Sequence, residues 1–94
     1  MKVTVDELKA HLRIEQEEED AYLGALLEAA HTAAEDFCKT KFCRTLPKPV
    51  HLAVLLHAGH FFLNRESSDG DAYQAMMQAF HSLLWPYRNA AKLF

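Results

Sequence analysis

The sequence predicts an all-α fold: a small bundle of four helices, the first short, the second and third long, the fourth ending near Trp85, with a C-terminal tail beyond it. Three observations carry this. Apolar residues recur at three- and four-residue spacing in four separate windows, as one face of a helix requires. No window alternates apolar and polar residues with the period of a half-buried strand. Pro47, Pro49 and Pro86 fall at the edges of the windows, where helices begin and end.

Thr4-Val5-Asp6-Glu7 reads as a helix start. Thr4 accepts from a backbone N–H of the first turn and Glu7 reaches back, a capping box. Val5, Leu8 and Leu12 then mark an apolar face over about residues 5–13. Residues 14–20 form a connector in which Glu15, Glu17, Glu18, Glu19 and Asp20 make an acidic run. Acids suit the partial positive charge of a helix N-terminus. The run contains no His or Asn and lacks calcium-loop spacing, so a metal is the weaker reading of it.

The second helix carries Leu23, Leu26, Leu27, Ala30, Ala34 and Phe37 on one stripe and is expected to end near residues 39–41. Its alanines keep it thin, so neighbours approach closely. Residues 43–49 are a basic, proline-broken loop, with Pro49 suited to the first position of the third helix. Leu52, Leu55, Leu56, Gly59, Phe62 and Leu63 supply that helix's expected core stripe, with its end near Arg65 or Glu66. Residues 67–71 form a loop. Tyr73, Met76, Met77, Phe80, Leu83 and Leu84 give a fourth helix over about residues 72–84. Pro86 ends it near Trp85.

A chain of 94 residues, half of them hydrophobic and 24% charged, is one globular unit. It divides into a helical domain, 1–85, and a tail, 86–94. The expected radius of gyration is about 12 Å. No apolar run approaches the roughly 20 residues that span a bilayer, and no signal peptide opens the chain, so a cytosolic protein without a membrane partner is expected. Cys38 and Cys43 are read as free thiols.

The net charge of −3 gives no general affinity for nucleic acid. Its distribution says more. Residues 1–36 hold ten acids and three bases, giving −7, and residues 37–94 hold three acids and seven bases, giving +4. Solvated helix faces explain this plainly. Self-association, one copy's acidic side meeting its neighbour's basic side, is the sharper alternative.

Reactive chemistry finds little support. His51, His57 and His60 with Cys38 and Cys43 have spacings of the general size of a zinc finger's, but the histidines sit in an apolar helix that packs without metal. Gly24, Gly59 and Gly70 are too scattered for a phosphate loop, and no His-Glu-x-x-His run or nucleophile elbow exists. The sequence therefore nominates no cofactor and no catalytic residue. Lys39, Lys41, Arg44 and Lys48, with Phe42 among them, could meet phosphates without reading sequence, though a solvated loop also explains them. The end of the chain has two readings: Trp85, Tyr87 and Leu93 fold back onto the domain's own helices, or Tyr87 and Arg88 anchor a partner.

Read from both ends, the chain resembles the phage head–tail connector (adaptor) proteins of the gp6-like family. The opening Val3-Thr4-Val5-Asp6-Glu7-Leu8-Lys9-Ala10-His11-Leu12-Arg13-Ile14 is similar to the family's first helix and following turn. The acids at 17–20 leading into 23–34 resemble its long second helix. Leu46-Pro47 with residues 50–65, closing on Asn64-Arg65-Glu66, resembles its third. Leu83-Leu84-Trp85-Pro86-Tyr87-Arg88 matches its habitual ending. The chain departs from the family in residues 67–78, which lack its small apolar linker, and in its many histidines.

The resemblance implies a non-enzymatic structural protein. It implies a ring of copies beneath the portal, matching the portal's twelvefold symmetry, that extends the DNA channel and offers a platform to the next head-completion or tail protein. The implied location is the host cytoplasm during assembly and then the head–tail junction of the virion. Trp85, Tyr87 and Arg88 are the expected portal contact. Lys39, Lys41, Arg44 and Lys48, and the acids Glu17, Glu18 and Glu19, are the expected subunit or channel contacts, with DNA passing without sequence specificity. Two other readings stand beside this one: a small cytosolic helical binding or regulatory module, and a zinc- or nucleic-acid-binding protein.

Overall fold

The computed structural model describes residues 3–39, 46–64 and 70–88. Four helices follow in order, α1 (Val5–Leu12), α2 (Asp20–Cys38), α3 (Lys48–Leu63) and α4 (Gly70–Leu84), and a 3₁₀ turn over Trp85–Tyr87 closes the described chain. Among the described residues there is no strand.

The expected capping box opens α1. Thr4 Oγ1 accepts from the Glu7 N–H at 3.1 Å, and Glu7 Oε1 accepts from the Thr4 N–H at 3.0 Å. Leu8 is fully buried, and Arg13 ends the helix in the left-handed region at φ 59°. The chain then turns back, with Ile14 N–H donating to the Lys9 carbonyl at 2.9 Å. An ion pair from Lys9 Nζ to Asp20 Oδ1, at 3.0 Å, fixes α1 to the start of α2.

α2 buries Leu23, Leu27, Ala30, His31, Ala34 and Cys38. His31 is the one polar member of this row. Its Nε2 accepts the Val3 N–H at 3.0 Å, which satisfies a buried backbone donor and straps the segment before α1 across α2. Such a bond requires an unprotonated Nε2. The strap leaves Val3 only 5% exposed.

α3 lies between α2 and α4 and is apolar around most of its girth. Here the expected stripe differs from the observed one. The residues buried are Val50, Ala53, Val54, Leu55, Ala58 and Gly59, while Leu52 is 46% and Leu63 70% exposed. An all-round apolar helix carries no periodic signal to orient it. Its small residues face the tightly packed neighbours, and two of its leucines are left outside.

Several boundaries also shift. α3 starts at Lys48 rather than Pro49, since the first helical N–H groups need no intrahelical partner and Pro49 fits the second position as well as the first. It ends at Leu63, where the Asn64 side chain donates to the His60 carbonyl at 2.9 Å. α4 begins at Gly70, so Gly70 and Asp71 are helical rather than loop, and Asp71 serves the first turn as an acid. The remaining positions of the expected loop, 67–69, lie outside the described residues, as do 65–66 and 40–45. α4 buries Met76, Phe80 and Leu84, with Tyr73 exposed at its margin.

The result is a slab of 46 × 31 × 17 Å with a radius of gyration of 13.5 Å. Flatness explains the excess over the roughly 12 Å of a rounder chain of this length. No described helix is long and apolar enough to cross a membrane.

Candidate partner-docking site

The last turns of α2 and α4 meet at one end of the slab. The Cys38 thiol, fully buried at the end of α2, donates to the Leu84 carbonyl at the end of α4, at 3.7 Å. Burial pushes this thiol up from its ordinary pKa, against a smaller opposing pull from Arg88, so Cys38 is a neutral packing group.

Phe37, one residue earlier, is the hub of an aromatic cluster. The His81 ring stacks on it at 4.4 Å and 17° between planes. Trp85 lies tilted against it at 6.4 Å. The Arg88 guanidinium stands 5.2 Å from the Phe37 ring centre and 5.6 Å from that of Trp85. The 3₁₀ turn makes this possible. Pro86 stops α4, the Arg88 N–H donates to the Trp85 carbonyl at 3.2 Å, and the chain turns back over α2. Contacts of this type are worth about 0.5–1 kcal/mol each at partly exposed sites.

Of the three residues expected to meet a portal, Trp85 and Arg88 are brought together, and Trp85 is 64% exposed. Tyr87 is half-buried and packs on the core. The two readings of this segment thus divide between its residues: Tyr87 folds back, and Trp85 faces outward. Leu93 lies outside the described residues. Phe37 and His81 complete the cluster without having been nominated. Phe37 reads in sequence as core, and only the four-residue step from His81 on α4 to Trp85 just after it could have flagged His81. From His81 a shallow groove of about 310 Å³ continues along α4, lined by Tyr73, Gln74, Met77 and Gln78.

The charged candidates are placed at opposite ends of α2. Glu17 and Glu18 lie in the turn before the helix, and Glu19 occupies its N-cap position without a side-chain capping bond. Lys39 follows Cys38 in the left-handed region at φ 56°, and Lys48 opens α3 at the same end. About 28 Å of helix separates the two groups. Lys41 and Arg44 lie outside the described residues.

The histidines do not converge. His51 Nε2 pairs with the Glu7 carboxylate, whose pKa is lowered first by the Thr4 backbone N–H and then by His51. His57 lies between the rings of Phe61, at 5.0 Å, and Phe80, at 4.9 Å. Burial, and then His60, hold its imidazole below the ordinary range. His60 packs edge-on against Phe61. Among the described residues no three His, Cys, Asp or Glu side chains gather as a metal ion would need. Cys43 lies outside them.

This arrangement suits recognition: an exposed indole held by a cation and a second ring, with a groove running away from it and charge of opposite sign about 28 Å off. Comparison with known proteins gives a family. The model of the phage gp6-like head–tail connector proteins matches residues 2–88. None of the curated proteins matches the chain, and none of the solved structures does. With the family match covering all four helices and the cluster at their end, the chain belongs to the phage gp6-like head–tail connector family.

Proposed function

We propose that this chain is a structural, non-catalytic subunit of the connector. Its copies assemble as a ring beneath the portal, twelve to match it, extend the channel for DNA, and present a platform to the next head-completion or tail protein. It acts in the host cytoplasm during assembly and afterwards at the head–tail junction. Family membership supports the general role.

The observation that carries the docking assignment is the exposed Trp85, braced by Arg88 and Phe37. Tryptophan and arginine dominate interface energetics, and an indole held in one orientation loses less entropy on binding. Tyr87 contributes by holding the turn against the core. Lys39, Lys41, Arg44 and Lys48 serve neighbour or channel contacts, with Glu17, Glu18 and Glu19 opposing them on the next subunit. DNA contacts there are to phosphate and carry no sequence preference.

The test is binding of Trp85→Ala and Arg88→Ala chains to assembled portal, followed by co-sedimentation. Trp85 is mostly solvent-exposed, so the variant keeps its helical circular dichroism. A hot-spot loss of about 2 kcal/mol weakens docking roughly thirtyfold. Wild-type affinity in both variants removes this cluster from the portal contact. Deleting everything after Leu84 is a poorer test, because it also strips Tyr87 from the core.

A further inference from the structure

The groove on α4 is built from two rows of side chains at four-residue steps. Tyr73, Met77 and His81 form the inner row, next to the buried Met76, Phe80 and Leu84, and Gln74 and Gln78 form the outer one. Met77 packs partly on the core, and Tyr73 is 43% exposed. Among the described residues, none that lines the groove carries a carboxylate, ammonium or guanidinium group, which suits an apolar occupant. Its volume of about 310 Å³ is about twice the roughly 150 Å³ that accepts a benzene ring.

Arg88 stands beside the mouth of this groove. Its guanidinium is 5.2 Å from the centre of the Phe37 ring on which His81 stacks at 4.4 Å. The Arg88 backbone is extended, at φ −62° and ψ 138°. Asn89, Ala90, Ala91, Lys92, Leu93 and Phe94 follow it, outside the described residues. Leu93 and Phe94 are large and apolar, and geometry bounds their reach. Were the 3₁₀ turn to run straight on from α4, Arg88 would stand about 18 Å along the axis from Met77. Six extended residues span about 20 Å. The contact of Arg88 with Phe37 makes the gap shorter still, because it folds the chain back over α2.

We propose that the groove is the seat of Leu93 and Phe94 of the same chain in the free protein. Phe94 lies on Met77 between Tyr73 and His81, where the thioether and the ring make a sulfur–aromatic contact. Leu93, one residue nearer the mouth, lies along the His81 ring. The amides of Gln74 and Gln78 bond the backbone of the segment as it passes. Residues 89–94 thereby strap down the 3₁₀ turn from beyond Arg88 and fix the guanidinium that braces Trp85. The tether selects the chain's own segment over a second copy's: so short a linker presents its end at a millimolar effective concentration, far above that of other copies in micromolar solution. The groove residues Tyr73, Gln74, Met77 and Gln78 are distinct from those assigned to portal and ring contacts, so the proposal stands whether or not that assignment does.

Nuclear magnetic resonance of the chain labelled at its methionine methyl groups tests it, with the Met77 signal assigned through Met77→Leu. The expected result is a nuclear Overhauser contact between the Met77 methyl and the Phe94 ring. Leu93→Ala with Phe94→Ala removes that contact and moves the Met77 resonance, while the buried Met76 keeps its own. Both substitutions lie beyond the helices, so the helical circular dichroism is unchanged. Dilution from about 500 to 50 µM leaves contact and resonance as they were, since both concentrations lie below the millimolar one of the tether. A wild-type chain without the contact overturns the proposal, as does a Met77 resonance that the double variant leaves in place. So does a contact found only between labelled and unlabelled copies, which gives the groove to a neighbour's segment.

Discussion

Gly24 and Gly59 stand where α1 lies across α2 and α3, and the two sites predict different outcomes for one substitution. Neither glycine has positive φ, so alanine fits the backbone at both. Glycine in a helix interior costs about 0.8–1 kcal/mol relative to alanine, and that gain is available at each. What differs is the space. A methyl added at Gly24 would lie 3.7 Å from Val5 Cγ2, an ordinary van der Waals contact. Gly24→Ala should therefore realise the full gain, about 1 kcal/mol. For a chain of this size that raises Tm by about 4–8 °C. At Gly59 the methyl would meet Leu12 Cδ2 at 3.3 Å and His11 Cδ2 at 3.8 Å. Leu12 Cδ2 is the end of a flexible side chain and yields by a few tenths of an ångström, which uses up much of the gain, and Gly59→Ala should change Tm by about 2 °C or less. Thermal unfolding followed by far-ultraviolet circular dichroism reads both. Loss of stability in Gly24→Ala, or a larger rise in Gly59→Ala than in Gly24→Ala, would refute this placement of α1.

Three further outcomes are expected. Thr4→Ala removes the N-cap of an eight-residue helix and should cost about 1 kcal/mol by urea unfolding. His57 is held below its ordinary value near 6.5, so on acidification past that point the unfolded chain takes up a proton that the folded chain refuses. Its contribution to stability is complete above that pH and is lost as pH falls toward the lowered folded value; His57→Phe should flatten the decline measured between about pH 7 and pH 5.5. Cys38 should resist alkylation in the folded protein and react on unfolding, read by mass spectrometry of its peptide.

The helices were legible because caps and periodicity are local. Thr4 with Glu7, the leucines of α2, and Pro86 each announce a start, a face or a stop to their immediate neighbours. α3 resisted the same reading because nearly every position is apolar. Size then suggested that leucines face inward, whereas close helix packing selected Ala53, Ala58 and Gly59 and left Leu52 and Leu63 outside. His31 was invisible as a partner because its bond is to a backbone N–H 28 residues away. At the candidate docking site, Trp85 and Arg88 were recognisable as residue types. Their brace was not, since Phe37 reaches them only when α2 and α4 end side by side.

Electron cryomicroscopy of assembled portal mixed with this chain tests the central claim most directly. The account predicts a closed ring of all-α density continuous with the portal channel, with Trp85 at the contact. A portal left bare at saturating chain, or chain bound only to its outer wall away from the channel, would contradict it.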